Sequence, residues 1–303
     1  MVTSKKGSKD KSTVNFKASF GLVSRGIPEY DKLSTNEWVE TQYSAIATKY
    51  APILSANYGL TIDQAREVLA SDDADWGFVR GWQGGYNPYN VANDQLIDPV
   101  TGKINPAAKQ TYQDDWNDEL FRTAKRSDYA LSISGGSEKS TYYLSLGYLN
   151  EEGIVKNSDF ERLTARLNTN NQVNTWLKVG MNMSTAISKS NYFLANGTYT
   201  SNPFYFARMM GPIFPIWQRN ADGSFVTDPQ TGGKVFDLGG SRPINPNSNL
   251  VATLPLDDRS YENNEFGIRT FADITLMEGL IFTFNASGDL YNTYTTTLQD
   301  NIS

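Results

Sequence analysis

The side chains best suited to contact a ligand are four aromatic residues in a glycine-rich stretch of the chain. They are Trp76, Trp82, Tyr86 and Tyr89. Flat aromatic rings present a large apolar face with a polar edge, which suits stacking on the rings of sugars. The same residue types also pack the interior of long loops. We take these four as candidate ligand-binding residues, with loop packing as the alternative.

An acidic run lies just before the first of these aromatic residues. Asp72, Asp73 and Asp75 are hard oxygen ligands of the kind that Ca²⁺ prefers. Their spacing does not match an EF-hand loop, so a solvated acidic turn is the favoured interpretation. We therefore predict no metal site and no cofactor.

The composition excludes several kinds of chemistry. The chain has neither histidine nor cysteine, which excludes a Ser-His-Asp triad, His-ligated zinc, disulfides and thiolate nucleophiles. No pair of carboxylates stands out as general acid and base, so we do not expect an enzyme. The net charge of −6 and the scattered Lys and Arg residues argue against a nucleic-acid partner.

The elements that must position these residues show a period of two. In the first of them, Val14, Phe16 and Phe20 share one face, while Asn15 and Lys17 share the other. Such alternation is typical of a β-strand with one apolar and one polar face. Seven strands are predicted, near 12–23, 127–135, 140–150, 159–169, 175–188, 261–277 and 279–296. Because a soluble antiparallel sandwich alternates in the same way, this pattern alone leaves a barrel and a sandwich open.

The lengths of the connections favour the barrel. Two loops are long, 24–126 and 189–260, whereas 135–139 and 170–174 are tight turns. Outer-membrane barrels have short turns at one end and long loops at the other, and compact soluble domains rarely carry loops of this size. The mean hydropathy of −0.47 does not test this, because every second residue of a barrel strand faces a polar interior. We predict a mainly β fold, an antiparallel transmembrane barrel segment with long, partly helical extracellular loops.

The long loops carry helix and turn motifs. Capping boxes at 34–37 and 61–64 predict helices that reach about Tyr50 and about Ala70. A third short helix is predicted over 114–124. Two similar turns, 98–103 and 228–234, each predict a small hairpin.

Several segments resemble one family in order and spacing. Gln113 to Arg122 resembles the segment that precedes the second barrel strand in SusC/RagA-type TonB-dependent transporters, and the resemblance continues through the four following segments. Those segments are 129–136, 142–149, 152–162 and 176–180. Residues 2–7 are similar to the end of the plug domain of that family, and 202–215 is similar to one of its loops.

The resemblance implies a barrel of about 22 strands that is plugged from within. Residues 1–10 would then be the end of the plug domain and a linker, and 11–303 the first part of the barrel, with the secretion signal expected upstream. The implied function is active import of oligosaccharides or peptides across the bacterial outer membrane. The implied partners are a SusD-like surface lipoprotein, the TonB complex, which would act through the missing N-terminal region, and outer-membrane lipid on the apolar strand faces.

A protein of another class remains as the alternative, namely a secreted β-sandwich that acts as an adhesin or a carbohydrate-binding module. It would explain the alternation and the aromatic residues in the loops. It would not explain the one-sided loop lengths or the ordered family segments. A soluble glycan-cleaving enzyme would need two carboxylates that converge in a cleft.

Overall fold

The fold divides into two compact units. In the computed structural model, which describes residues 12–193 and 200–298, a sheet unit comprises 12–26, 122–193 and 257–298. A loop unit comprises 27–121 and 200–256. The residues assigned to the end of a plug, 1–10, lie outside the described part of the chain.

The sheet unit is one antiparallel sheet in which each strand pairs with the next along the chain. This confirms the predicted mainly β, antiparallel fold. Its seven strands are β1 (Thr13–Val23), β2 (Ala124–Gly136), β3 (Ser140–Glu152), β4 (Asp159–Gln172), β5 (Leu177–Asn191), β6 (Asp258–Met277) and β7 (Leu280–Leu298). Within the described residues, the outer edges of β1 and β7 pair with no further strand, so the sheet is open here.

The register aligns side chains of one kind across the sheet. Paired residues point to the same face, so each row of partners belongs to one face. One row is mainly apolar: Phe16, Leu131, Leu146, Ala165, Thr185, Phe266 and Leu290. The neighbouring row is polar: Asn15, Ser132, Ser145, Arg166, Ser184, Gly267 and Asp289. The period of two in the sequence therefore becomes one apolar and one polar face.

The apolar face of the sheet is not covered by other described residues of its unit. Phe16 and Leu290 are each 67% exposed, and Phe284 is 57% exposed. Among the described residues of the sheet unit, the buried hydrophobic side chains are limited to Ala124, Leu149 and Val155. A sandwich buries one such face against a second sheet, and the described sheet unit contains no second sheet.

The loop unit holds the helices and a hydrophobic core. Its helices are α1 (Thr35–Tyr58), α2 (Ile62–Ala70), α3 (Trp116–Leu120), α4 (Pro203–Met209) and α5 (Leu250–Thr253), with a π-helical turn at Phe78–Trp82 and a 3₁₀ turn at Asn93–Gln95. In the part of the chain that the structure describes, no helix is long and apolar enough to cross a membrane.

Both predicted capping boxes are present. The Ser34 hydroxyl accepts from the Glu37 N–H while the Glu37 carboxylate accepts from the Ser34 N–H, and Thr61 and Gln64 do the same at α2. The predicted end of α1 near Tyr50 is wrong, because the helix continues to residue 58 through Pro52.

The continuation of α1 has a packing cause. Ala47, Ala51 and Leu54 extend its buried stripe, and burial of these side chains offsets the hydrogen bond lost at the proline. The helix ends at Gly59, which adopts the left-handed conformation (φ 67°) that glycine tolerates best.

The third helix is shorter than the predicted span of 114–124. Asp115 caps its N-terminus by accepting from the Asn117 N–H at 2.8 Å. Phe121 is already extended, with φ −116° and ψ 162°, and β2 begins at residue 124. The predicted end of this helix is therefore too late, because the chain is extended from Phe121 onward and continues into β2.

Both predicted hairpins are present in the loop unit. The bridges Ile97–Ile104 and Thr227–Lys234 close them. At each tip an aspartate, Asp98 or Asp228, accepts a hydrogen bond from the backbone N–H two residues on. The two similar sequences therefore form the same type of turn.

Candidate functional site

The segment that begins the family resemblance anchors the loop unit. The Asp114 carboxylate pairs with the Arg219 guanidinium and also accepts from the Ile216 N–H at 2.8 Å. The side chains of Asp114 and Arg219 are 8% and 11% exposed, so the ion pair is buried. Arg219 also stacks 3.8 Å from the centroid of the Phe225 ring. The pair therefore anchors the first part of the segment 216–237, which we call the arm.

Trp116 makes a second anchor two residues further on. Its indole is 3% exposed, and Nε1 donates to the Phe214 carbonyl at 2.9 Å. The ring also packs against Phe206, with centroids 5.1 Å apart. Two side chains of the recognised segment thus serve the interior of the loop unit rather than a ligand surface.

The second recognised loop, 202–215, is also part of this interior. Asn202 caps α4 by accepting from the N–H groups of the first turn. The indole of Trp38 lies close to Gly211, where an added Cβ would come within 2.6 Å of the ring. Phe214 meets the same indole edge to face, at 6.0 Å between centroids. A glycine at 211 is therefore required by the close approach of the Trp38 ring.

Two of the four predicted ligand-binding residues are committed to internal contacts. Tyr89 is 5% exposed, its hydroxyl donates to Asn36 Oδ1 at 2.6 Å, and burial raises its pKa to about 12. The Tyr86 hydroxyl donates to Asp237 Oδ1 at 3.0 Å, and burial, followed by that hydrogen bond, raises its pKa. These tyrosines hold the glycine-rich stretch in place.

The other two predicted residues come together with a third aromatic ring. Tyr50 of α1 lies 4.4 Å from Trp82 and 6.2 Å from Trp76, measured between ring centroids. All three are half-buried. The Trp82 Nε1 donates to the Trp76 carbonyl at 3.1 Å, which links the two tryptophans directly. We call Tyr50, Trp76 and Trp82 the aromatic cluster.

Sequence reasoning missed Tyr50 in this cluster. The residue lies seven positions after the buried Tyr43, which places both on related faces of a helix that continues past residue 50. That spacing was visible in the sequence. A helix that ends near residue 50 does not place Tyr50 on this face, whereas the observed helix to residue 58 does.

The acidic run beside the cluster is a turn. Asp73 accepts from the N–H groups of Asp75 and Trp76, and these backbone hydrogen bonds lower the pKa of its carboxyl. Asp72 pairs with Arg80 and accepts from Asn93. Within 12–193 and 200–298, no group of three or more acidic side chains is placed to hold a metal ion.

A groove in the loop unit brings distant segments together. It has a volume of about 800 Å³ and is lined by 29–34, 37–38, 113–116 and 207–212, which we call the 29–38 groove. Glu29 and Arg208 form a two-pronged ion pair at its rim, with N···O distances of 3.1 and 3.2 Å. Lys32 and Asp115 form a second pair at 3.5 Å.

The sheet unit has its own depression, on the polar face. It has a volume of about 580 Å³ and is lined mainly by polar-face residues of β3 to β7, together with Ala165, Thr185, Phe266 and Leu290 of the apolar row. Its floor is built of small residues such as Ser184 and Gly267, and Arg166 and Asp289 lie in the same row.

By sequence, the chain is similar to proteins named as TonB-dependent receptors. No protein-family model matches the chain. The TonB-dependent receptor SusC of Bacteroides thetaiotaomicron is 32% identical over 173 residues, which are 53% of this chain and 16% of SusC. The TonB-dependent receptor P3 of Formosa agariphila is 35% identical over 166 residues, 52% of this chain and 15% of P3. The chain is a relative of the SusC/RagA-type TonB-dependent receptors.

Solved structures agree on the fold. The RagAB peptide importer in its closed-closed state aligns with a TM-score of 0.56 and 23% identity, covering 97% of this chain and 29% of that one. The open-open state aligns with a TM-score of 0.58 and 22% identity, over the same shares of the two chains. At this level of identity the likeness concerns the fold.

These findings confirm the SusC/RagA-type resemblance and the outer-membrane location that it implied. The relatives are named receptors, in agreement with the expectation that the chain is not an enzyme. The matched residues make up 15–17% of the first three curated relatives.

Proposed function

We propose that this chain is part of an outer-membrane transporter that actively imports oligosaccharides or peptides. The observation that carries the proposal is the apolar face of a sequentially paired antiparallel sheet, which no described residue of the sheet unit covers and which lies opposite a polar face. The relatives support it, because the curated ones are named TonB-dependent receptors and the structural ones belong to a peptide importer.

The two faces of the sheet would have different surroundings. The apolar row that contains Phe16, Leu146 and Phe266 would contact lipid, and the polar row that contains Arg166 and Asp289 would line the lumen or contact a plug. In lipid every backbone N–H and C=O must be paired, and strands achieve this only in a closed barrel. The unpaired outer edges of β1 and β7 would therefore continue into further strands of the transporter.

The loop unit would capture the ligand on the extracellular side. The aromatic cluster offers half-buried rings at one place, so Trp76 and Trp82 are the proposed ligand contacts, together with Tyr50. Tyr86 and Tyr89 would keep the stretch in position through their internal hydrogen bonds. Import would depend on a TonB complex and on a SusD-like lipoprotein that covers the loops.

Labelling of single cysteines tests the topology that this function requires. The chain contains no cysteine. In a cysteine-free form of the full-length protein, Ala221→Cys in the arm and Glu138→Cys in the β2–β3 turn would be made separately. Both positions are exposed. Intact cells would then be treated with a membrane-impermeant maleimide.

The proposal predicts labelling at 221 in intact cells, and labelling at 138 only after lysis. Equal labelling at both positions, or recovery of the protein in the soluble fraction, would contradict it. Either result would favour the secreted β-sandwich that binds glycans.

A further inference from the structure

The charge of the chain is unevenly distributed along the sequence. The stretches 27–121 and 194–256 contain eighteen acidic and ten basic residues, whereas the rest of the chain contains fifteen acidic and seventeen basic residues. The first set of stretches therefore carries a net charge of −8, and the rest of the chain carries a net charge of +2. A surface of one sign raises the local concentration of ligands of the opposite sign.

The 29–38 groove concentrates this charge in a concave site. Its two cations are already neutralised by carboxylates at short range, Arg208 by Glu29 and Lys32 by Asp115. Asp31 lines the same groove, is exposed, and has no hydrogen-bond or ion-pair partner in the part of the chain that the structure describes.

Glu37 supplies a second carboxylate to the groove, and no cation among the described residues forms an ion pair with it. Its Oε2 serves the capping box with Ser34, and the hydrogen bonds from the Ser34 side chain and backbone lower its pKa. It is therefore ionised at neutral pH. The formal side-chain charge that remains in the groove after pairing is negative and comes from Asp31 and Glu37.

The groove also has an aromatic wall. The half-buried indole of Trp38 lines it, held in place by Gly211 and Phe214. The face of an indole ring attracts cations as well as apolar groups. Met209, which is 38% exposed, adds flexible apolar surface beside it, which suits the hydrocarbon stem of a long side chain.

We propose that the 29–38 groove binds lysine and arginine side chains of a peptide ligand, with Asp31 and Glu37 facing the cationic head and Trp38 the stem. Such a site selects basic peptides over neutral oligosaccharides. The inference rests on the proposed import function in one respect, because it treats the bound peptide as cargo. Binding itself requires no transport.

Equilibrium binding to the purified full-length receptor tests the site. The probe is a fluorescein-labelled peptide of alternating glycine and lysine, compared with its Nε-acetylated twin and with a neutral linear oligosaccharide. Asp31→Asn and Glu37→Gln remove one charge each, and glutamine at 37 can still complete the capping box. Asp94→Asn is the matched control, because Asp94 is an exposed carboxylate outside the groove.

We expect the lysine peptide to bind more tightly than its acetylated twin and than the oligosaccharide. Each groove variant should weaken binding of the lysine peptide by about two- to fivefold, the range for a partly exposed charge pair, and leave the acetylated peptide unaffected. The control should bind like the unaltered receptor. Equal binding of both peptides, or equal weakening by Asp94→Asn, would overturn the assignment to the groove.

An uptake assay in cells separates this inference from the proposed function. Peptide binding that depends on Asp31 and Glu37, without TonB-dependent uptake, would contradict the import function and leave the site standing. Uptake of the oligosaccharide without selective binding of the lysine peptide would contradict the site and leave import standing.

Discussion

The buried ion pair between Asp114 and Arg219 should stabilise the packing of the arm against the rest of the loop unit. Replacement of Arg219 by methionine keeps much of its volume against Phe225 but leaves the Asp114 carboxylate buried without its cation. Breaking a buried pair in this way costs about 3–5 kcal/mol, because the remaining charge is desolvated and unpaired. The loss of stability should be confined to the arm and its contacts, because the pair joins the arm to the 112–116 segment.

Hydrogen exchange followed by mass spectrometry on the full-length protein measures this cost where it occurs. The arm is held by its own ladder, in which the Gln218 N–H donates to the Val235 carbonyl and the Val226 N–H to the Gln218 carbonyl. If about 3 kcal/mol of local stability is lost, exchange of these amides should accelerate by about a hundredfold.

Two further variants make the result interpretable. Lys32→Met breaks the Lys32–Asp115 pair, whose side chains are 51% and 50% exposed, and should cost less than about 1 kcal/mol. The double variant Asp114→Leu, Arg219→Met removes both charges and should recover most of the protection. The reasoning is refuted if Arg219→Met accelerates exchange in the arm no more than Lys32→Met does.

Three other predictions follow from single contacts. Gly211→Ala should displace the Trp38 indole and destabilise the protein by about 1–3 kcal/mol. A shift in tryptophan emission would report the displacement. An unchanged emission spectrum would contradict the close approach of the indole to Gly211. Arg122→Leu should loosen the β3–β4 loop, because Nε and Nη2 of Arg122 donate to the carbonyls of Gly153 and Ser158 at 3.0 and 2.9 Å. Trypsin should therefore cleave the loop faster in the variant. Equal cleavage of the variant and the unaltered protein would contradict this. The Asp73 turn should be fully stable above the unfolded pKa of about 3.9 and lose protection as pH falls through its lowered folded pKa. In exchange measured against pH and corrected for the intrinsic rate, Asp73→Asn should abolish that dependence, and its persistence would rule out this carboxylate as the cause.

The strands were predictable because their pattern is local. Period-two alternation needs only neighbouring residues, and it placed all seven strands of the sheet. The capping boxes and the two hairpin tips are likewise local, since each depends on hydrogen bonds that span a few residues. The end of α1 was missed because its continuation through Pro52 depends on burial, which the local sequence does not show.

The candidate sites were less predictable because they join distant residues. Arg208 meets Glu29 across 179 positions, and Asp114 meets Arg219 across 105. No spacing rule links such pairs in a single sequence. The aromatic stretch illustrates the same limit, because its composition suggested four ligand contacts and only the fold distinguishes the buried Tyr89 from the half-buried Trp82.

Adjacent substitutions in β2 test most directly whether the apolar face of the sheet meets lipid. Leu131 belongs to the apolar row and Ser132 to the polar row, so Leu131→Arg and Ser132→Arg place the same charge on opposite faces. An arginine facing lipid near the middle of the bilayer costs about 2–4 kcal/mol, whereas one facing the lumen has access to water.

The measurement is the amount of folded full-length protein in the outer membrane, scored by resistance to heat-induced unfolding in detergent gels. The account predicts that Leu131→Arg reduces this amount strongly and that Ser132→Arg leaves it close to that of the unaltered protein. Equal assembly of both variants, or greater damage from Ser132→Arg, would contradict the central claim that this sheet is the wall of a transmembrane barrel.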